Sequence, residues 1–252
     1  MKEDYRIKWL DRIDSTNNET IRQAHSLDNL SVLAAYCQTA GRGQRGNTWL
    51  SQPGENLTFS LFLRFGPDGL APVPASQQFL ISEMITLTLT DFLAQCGVRG
   101  AIKWPNDIYV RDKKICGVLI ESGLDGSHLA WSVVGVGLNL NQQDFPPQLM
   151  NPTSLARLTK RQWPLEESLE NIMRISLKYI RLMNTDDGRE KLREQYLGQL
   201  YRKDTRSPFV DARTGEPFEG TIRGLSPQAK LLVELPTGEC KEFDFKEISY
   251  II

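Results

Sequence analysis

Hydrophobic residues recur with two different periods along most of the chain. Every third or fourth position is apolar over residues 77–96 and 164–183, which predicts two amphipathic helices. A more polar helix is predicted over about 187–201. Apolar residues alternate, or form short β-branched runs, in predicted strands at residues 5–13, 32–37, 56–65, 108–110, 115–121 and 129–139. This mixture of helices and strands indicates an α/β (α+β) core.

The pattern changes after Lys203. Residues 209–252 contain repeated glycines between short strand-like runs, among them 230–235 and 240–245. Such spacing is typical of a small all-β barrel of about 50 residues. We therefore predict one domain over residues 1–203 and a second over residues 204–252.

A short helix is predicted near the amino terminus. In Thr16-Asn-Asn-Glu19 the threonine hydroxyl and the glutamate carboxylate could both accept hydrogen bonds from backbone N–H groups, as in a capping box. The helix should then run from Thr16 to about His25.

Charge and cysteine content exclude several classes of protein. Lys plus Arg is 30 and Asp plus Glu is 31, so the chain lacks the basic surplus of a general DNA- or RNA-binding protein. No apolar run has the length of a membrane span, and the charged start lacks a signal-peptide core. The four cysteines are scattered, without a CxxC pair, which indicates reduced thiols and a cytoplasmic protein. Neither His25 nor His128 has a histidine or cysteine at metal-ligand spacing.

The most informative segment is Gly41-Arg-Gly-Gln-Arg-Gly46. It fits GxGxxG, but the dinucleotide fingerprint requires a helix directly after the loop, and here residues 47–54 lead into a strand. A glycine-rich turn without a ligand is the alternative. Against it, glycines allow backbone amides to approach a ligand closely, Arg42 and Arg45 can grip phosphate oxygens, and Trp49 offers a flat face for a ring.

Two further segments combine polar residues with strand ends. Lys103-Trp-Pro-Asn-Asp107 precedes a strand, and taken alone it would be an ordinary turn. Lys114 enters the next strand beside Gly117, so its ammonium group can point into a cleft. Gly135-Val-Gly-Leu-Asn139 ends a later strand, where glycines often mark only a bulge.

Taken together and in order, these motifs resemble the biotin protein ligase family over nearly the whole chain. The matching segments are Ser15-Thr-Asn17, Gln38, Gly41-Arg-Gly-x-x-Gly46 with Trp49, Lys103-Trp-Pro-Asn-Asp107, Lys113-Lys-Ile-x-Gly117 and Gly135-x-Gly-x-Asn139. The resemblance implies a mixed sheet with flanking helices, related to class II aminoacyl-tRNA synthetases, followed by an SH3-like barrel. The sequence resembles the short members of the family, which lack the DNA-binding domain of the bifunctional members.

The resemblance also implies an activity: biotin is activated by ATP as biotinyl-5′-AMP and transferred to a lysine of a biotin carboxyl carrier protein. Because both reacting groups are anionic, positive charge must neutralise them, and Arg42 and Lys114 are the residues expected to do so. Asp107 is expected either to orient Mg²⁺ or to accept the proton of the acceptor lysine. A homodimer formed through a sheet edge is a further expectation.

The family likeness assigns two sets of binding residues. The biotin set is Ser15, Thr16, Asn17, Gln38, Gly41, Arg42, Lys114 and Gly117. The ATP set is Arg42, Arg45, Gly46, Trp49, Lys103, Asn106, Lys114 and Asn139.

Two residues of the glycine-rich loop depart from the family pattern, and there are two alternative functions. Gln44 and Asn47 stand where many relatives have basic residues, which predicts weaker retention of the adenylate. Lipoate protein ligase shares the core fold, but its Arg-Arg-x-Ser-Gly-Gly-Gly type loop is absent here. A non-catalytic biotin-binding module is the other rival, and the presence of both Arg42 and Lys114 argues against it.

Overall fold

A seven-stranded mixed sheet forms the centre of the computed structural model, which describes residues 5–252 except for the side chain of Arg45. In chain order its strands are β1 (Arg6–Leu10), β2 (Ser31–Ala35), β3 (Leu57–Arg64), β4 (Ala101–Lys103), β5 (Asp107–Val110), β6 (Lys113–Asp125) and β7 (His128–Leu138). Their spatial order is β1-β2-β3-β7-β6-β5-β4. β1 runs parallel to β2, whereas the remaining neighbours are antiparallel. The expected mixed sheet is confirmed.

Helices flank the sheet. They are α1 (Thr16–Arg22), α2 (Phe79–Gln95), α3 (Leu155–Thr159), α4 (Leu165–Met183) and α5 (Asp186–Gly198). α4 is amphipathic as predicted, with Leu169, Ile172 and Tyr179 buried. In the described part of the chain, no helix is long and apolar enough to cross a membrane.

Helix α2 is more deeply buried than its periodicity predicts. It packs against α4 and α5 and against strands β4 and β5. Three of its polar residues, Thr86, Thr88 and Thr90, are buried. Each of their hydroxyls donates a hydrogen bond to the carbonyl four residues earlier. A hydroxyl satisfied within its own helix can be buried at little cost, so α2 is a core helix without a solvent-facing polar stripe.

A second sheet follows α5. Its antiparallel strands are β8 (Arg206–Asp211), β9 (Pro217–Leu225), β10 (Leu231–Glu234), β11 (Cys240–Phe243) and β12 (Ile248–Tyr250), ordered β11-β10-β9-β8-β12. This arrangement is consistent with the expected SH3-like barrel. The turn between β9 and β10 contacts the first part of the chain directly, since Trp104 Nε1 donates to Ala229 O at 3.1 Å. The division at residues 203 and 204 stays a prediction.

The start of α1 differs from the predicted capping box. Ser15, one residue earlier, is the N-cap, and its Oγ accepts from Asn18 N at 3.5 Å. Thr16 is instead the first residue of the helix, and its hydroxyl bonds to side chains, because it accepts from Ser60 Oγ at 2.8 Å and donates to Gln38 Oε1 at 3.2 Å. Glu19 bonds Arg22 in place of the backbone. The capping-box prediction at Thr16 is therefore wrong.

A buried ion pair joins α2 to α5. Glu83 is 2% exposed, and its Oε1 lies 2.5 Å from Arg193 Nε. Burial raises the pKa of Glu83 to about 7, although Arg193 opposes the shift. Arg193 Nη1 also reaches Ser226 O at 3.4 Å, in the turn between β9 and β10. The pair thus links the helical layer to the second sheet.

Glu83→Gln should flatten the dependence of stability on pH. Since the folded-state pKa is raised, the folded protein keeps a proton that the unfolded chain has released between about pH 4.5 and 7. Stability from this group is complete below that window and falls as pH rises through it, by at most about 3 kcal/mol. Urea unfolding across the window measures the slope, with the exposed Glu190→Gln as control. An unchanged slope in Glu83→Gln would contradict this.

Candidate active site

A cavity of about 420 Å³ lies between strands β6 and β7, the loop after β2 and the end of the second sheet. It gathers residues that are far apart in the chain. Of the residues expected to bind substrates or Mg²⁺ or to act in catalysis, those lining it are Ser15, Thr16, Asn17, Gln38, Arg42, Trp49, Lys103, Asn106, Asp107, Lys114 and Gly117. Their roles stay predictions. The structure shows that these residues lie close together, as expected.

Four residues of the expected site lie elsewhere or are not described. Gly41 permits close packing, because an added Cβ would lie 2.5 Å from Trp49 O. Gly46 is exposed with a φ of 77°. Asn139 is buried, and its amide donates to Thr153 O at 3.0 Å. Arg45 falls outside the described side chains. None of the three described residues lines the cavity, and their binding roles stay predictions.

A polar network fixes the Ser15-Thr16-Asn17 corner. Gln38 Oε1 accepts from Thr16 N at 2.7 Å. Ser60, on β3, donates to Asn17 Oδ1 at 2.6 Å. All three corner residues are buried. Because buried polar groups with several partners hold one geometry, this wall of the cavity is preorganised.

Two glycines form a cradle for Trp49. A Cβ added to Gly137 would lie 2.2 Å from Trp49 Cε2, and one added to Gly117 would lie 3.0 Å from Cζ3. The indole therefore lies against bare backbone of β6 and β7. Its Nε1 is buried without a hydrogen-bond partner among the described residues. Such a donor is costly unless a ligand or water satisfies it, so Trp49 Nε1 is a candidate ligand contact.

Both cations expected to neutralise the substrates already have carboxylate partners. Lys114 Nζ lies 2.6 Å from Asp107 Oδ2, and Arg42 Nη2 lies 2.8 Å from Glu121 Oε1. Sequence analysis had not singled out Glu121, which directly follows the largely apolar residues 115–120 of β6. The available signal was its even spacing from Gly117, which places the two residues on the same face of the strand.

The remaining walls come from the loop after β2 and from the second sheet. Gln44 Nε2 donates to Asn106 Oδ1 at 2.6 Å, which ties the glycine loop to the Trp-Pro-Asn-Asp segment. The Lys103 ammonium lies 5.2 Å from the ring centroid of Tyr109 and 4.7 Å from that of Tyr250. Phe245, Ile248, Ser249 and Tyr250 also line the cavity. Sequence reasoning missed these four residues because only tertiary packing brings residues 245–250 to the site.

Gly137→Ala tests the cradle. The new methyl would overlap the indole, so Trp49 must leave its position, and overpacking of this kind costs about 1–3 kcal/mol. We expect weaker ATP and biotin binding by roughly tenfold, measured by calorimetry. Gly198→Ala is the control, because a Cβ there meets nothing within 4 Å. Unchanged affinities in Gly137→Ala would show that the indole position does not matter for binding.

Comparison with known proteins agrees with this fold. Residues 9–139 match the profile of the Biotin/lipoate A/B protein ligase family, and the chain belongs to that family. More particularly, it is similar to the biotin--[acetyl-CoA-carboxylase] ligase of Paracoccus denitrificans, with 32% identity over 91% of this chain and 94% of the relative. The family and fold expected from the motifs are confirmed.

Other relatives are longer or more distant. The bifunctional ligase/repressor BirA of Escherichia coli (strain K12) is 31% identical over 55% of this chain, and the match spans 42% of that protein. The structure of the biotin protein ligase from Aquifex aeolicus in complex with biotin and ATP superposes with a TM-score of 0.77 at 24% identity, covering 97% of both chains. At that identity the superposition supports the fold alone.

Proposed function

We propose that this chain is an ATP-dependent biotin protein ligase that forms biotinyl-5′-AMP and transfers biotin to a lysine of a biotin carboxyl carrier protein. One observation carries the proposal: a single cavity is lined by both Arg42 and Lys114 and has glycine backbone of β6 and β7 at its floor. The similarity to the Paracoccus denitrificans ligase extends over 91% of the chain, which supports the same activity for this protein.

The first step joins two anions. A carboxylate oxygen of biotin attacks the α-phosphorus of ATP, the bond from that phosphorus to the bridging oxygen breaks, and pyrophosphate leaves. Electrostatic repulsion opposes the approach, so fixed positive charge at the reacting groups lowers the barrier. Arg42 and Lys114 line the same cavity and supply that charge, and the preorganised Ser15–Asn17 corner holds the biotin ring in place.

The second step needs a neutral amine. The acceptor lysine attacks the acyl carbon of the adenylate, and AMP leaves with the electrons of the broken C–O bond. A free lysine has a pKa of about 10.4, so a proton must be removed. Asp107 is the acidic residue among those described as lining the cavity, and it is the proposed base in one of its two expected roles.

The other role of Asp107 concerns Mg²⁺. Within residues 5–252, no group of three or more His, Cys, Asp or Glu residues is placed to hold a metal ion. Mg²⁺ in nucleotide sites is commonly held by substrate phosphates and one or two carboxylates, and the Asp107 carboxylate at the cavity wall fits that donor set. Bound there with ATP, Mg²⁺ would neutralise phosphate charge. Asp107 Oδ2 also lies 2.6 Å from Lys114 Nζ.

Incubation with biotin, MgATP and a carrier domain tests the function. Intact-mass analysis should show a carrier heavier by one biotinyl group, only when all three components are present. A competition between biotin and lipoate in ATP–pyrophosphate exchange separates the two ligase specificities. Biotin binding without any transfer would instead support the non-catalytic module.

We also propose a cytoplasmic location. Cys37, Cys96, Cys116 and Cys240 are all free thiols, as is usual in reducing compartments. The sheet-edge homodimer stays a prediction, to be measured by sedimentation.

A further inference from the structure

The Arg42 guanidinium is held by one end. Its Nη1 and Nη2 donate to Glu121 Oε2 at 3.0 Å and to Glu121 Oε1 at 2.8 Å, which is a two-pronged contact. Nη1 donates a second time, to Asn18 Oδ1 at 2.8 Å. Paired N–H···O bonds of this kind fix the plane of the guanidinium as well as its position.

The N–H donors on the other edge of the same guanidinium are not used by these contacts. An arginine side chain has five N–H donors, and the contacts with Glu121 and Asn18 occupy three of them. The remaining two are Nε–H and the second N–H of Nη2, which lie side by side and form another fork. Neither has a hydrogen-bond partner among the residues that the structure describes. That fork matches the spacing of two oxygens of a carboxylate or phosphate.

Glu121 itself is anchored by the sheet. It lies on β6, its side chain is 27% exposed, and its Oε2 also accepts from Asn17 Nδ2 at 3.0 Å. Asn17 Nδ2 donates in addition to Leu119 O at 3.2 Å on the same strand. Arg42 and Asn17 line the cavity, whereas Glu121 does not. Glu121 therefore does not face the cavity itself, and the charged side chain through which it can position a ligand is Arg42.

We propose that Glu121 is a positioning residue for the adenylation step: it grips one edge of Arg42 so that the opposite edge receives the substrate anion. The role rests on the proposed biotin ligase function. Arg42 belongs to an exposed loop, with 41% of its side chain accessible. Without Glu121 the guanidinium would keep only its single bond to Asn18 Oδ1, and the substrate would have to order the rest of its geometry on binding. The negative charge of Glu121 weakens the attraction between Arg42 and the substrate anion. The proposal requires that the fixed geometry contributes more to the reaction than this weakened attraction removes.

Glu121→Gln separates geometry from charge. The amide keeps the shape but offers one acceptor and one donor, so its NH₂ would face a donor of Arg42 or Asn17. We expect kcat/KM for biotin-dependent pyrophosphate exchange to fall about tenfold, the scale of one charge-assisted hydrogen bond, with an unchanged thermal midpoint. Glu219→Gln is the matched control, since Glu219 accepts from Arg206 Nε at 2.7 Å on the second sheet, outside the cavity.

A double substitution decides whether Glu121 acts through Arg42. In an Arg42→Ala background, Glu121→Gln should cause no further loss of exchange. Equal losses in both backgrounds would overturn the proposal, because Glu121 would then act independently of Arg42. Faster exchange or tighter biotin binding in Glu121→Gln would also overturn it, since Glu121 would be a competitor for Arg42. Absence of exchange in the wild type would overturn the proposed function together with this role, whereas an active wild type with an unaffected Glu121→Gln overturns this role alone.

Discussion

Lys114→Ala should reduce biotin-dependent ATP–pyrophosphate exchange about a hundredfold or more while leaving the fold intact. Removal of one preorganised charge at a developing anion costs about 2.7–4 kcal/mol of transition-state stabilisation. Lys114 contributes such a charge at the cavity wall, with its Nζ 5.9 Å from the centroid of the Trp49 ring. Its backbone bonds, from Lys114 N to Asn151 O and from Thr153 N to Lys114 O, are retained in the alanine variant.

Lys113→Ala is the matched control for Lys114→Ala. Lys113 is the preceding residue of β6, is exposed, and does not line the cavity. Exchange kinetics and the thermal midpoint should both stay at the wild-type level in this control. If Lys114→Ala lowered stability as strongly as exchange, Lys114 would have a structural role and the electrostatic account would be contradicted.

Asp107→Asn should slow at least one half-reaction about a hundredfold, the usual scale for loss of a general base. The substitution keeps the size of the side chain but removes the charge that pairs with Lys114 and could bind Mg²⁺. Loss of adenylate formation, with transfer from preformed biotinyl-5′-AMP intact, would assign Asp107 to Mg²⁺ or to the alignment of Lys114. Loss of transfer alone would assign it to proton removal.

The two half-reactions are measured separately for Asp107→Asn. Pyrophosphate exchange reports adenylate formation, and biotinylation of the carrier from added adenylate reports transfer. Asp125→Asn serves as control, because Asp125 is exposed at the far end of β6. Wild-type rates in both assays would exclude both roles of Asp107.

The central sheet could be predicted from sequence because its strands carry strong local patterns. β3 and β7 consist almost wholly of buried residues flanked by polar segments, so their existence follows from periodicity. β4 and α3, with three and five residues, are too short to produce a pattern, and both were missed. The exact start of α1 depended on a contact between Thr16 and Gln38, which no local pattern contains.

The cavity was predictable as a set of motifs, but not as a set of contacts. Glycines at 117 and 137 indicated close approach, yet the side chain that approaches, Trp49, lies in a distant loop. The carboxylate partners of Lys114 and Arg42 depend on the register of β5, β6 and the loop after β2. The hydrogen bond from Gln44 to Asn106 likewise depends on tertiary packing. Weaker retention of the adenylate because of Gln44 and Asn47 stays a prediction.

A crystal structure of the protein with biotin and ATP tests the central claim most directly. The account predicts that the Nε–Nη2 edge of Arg42 and the Lys114 ammonium contact the biotin carboxylate and the α-phosphate, with Glu121 still bound to Arg42. Both ligands seated in the cavity, with the two cationic side chains turned to solvent and far from either anion, would contradict it.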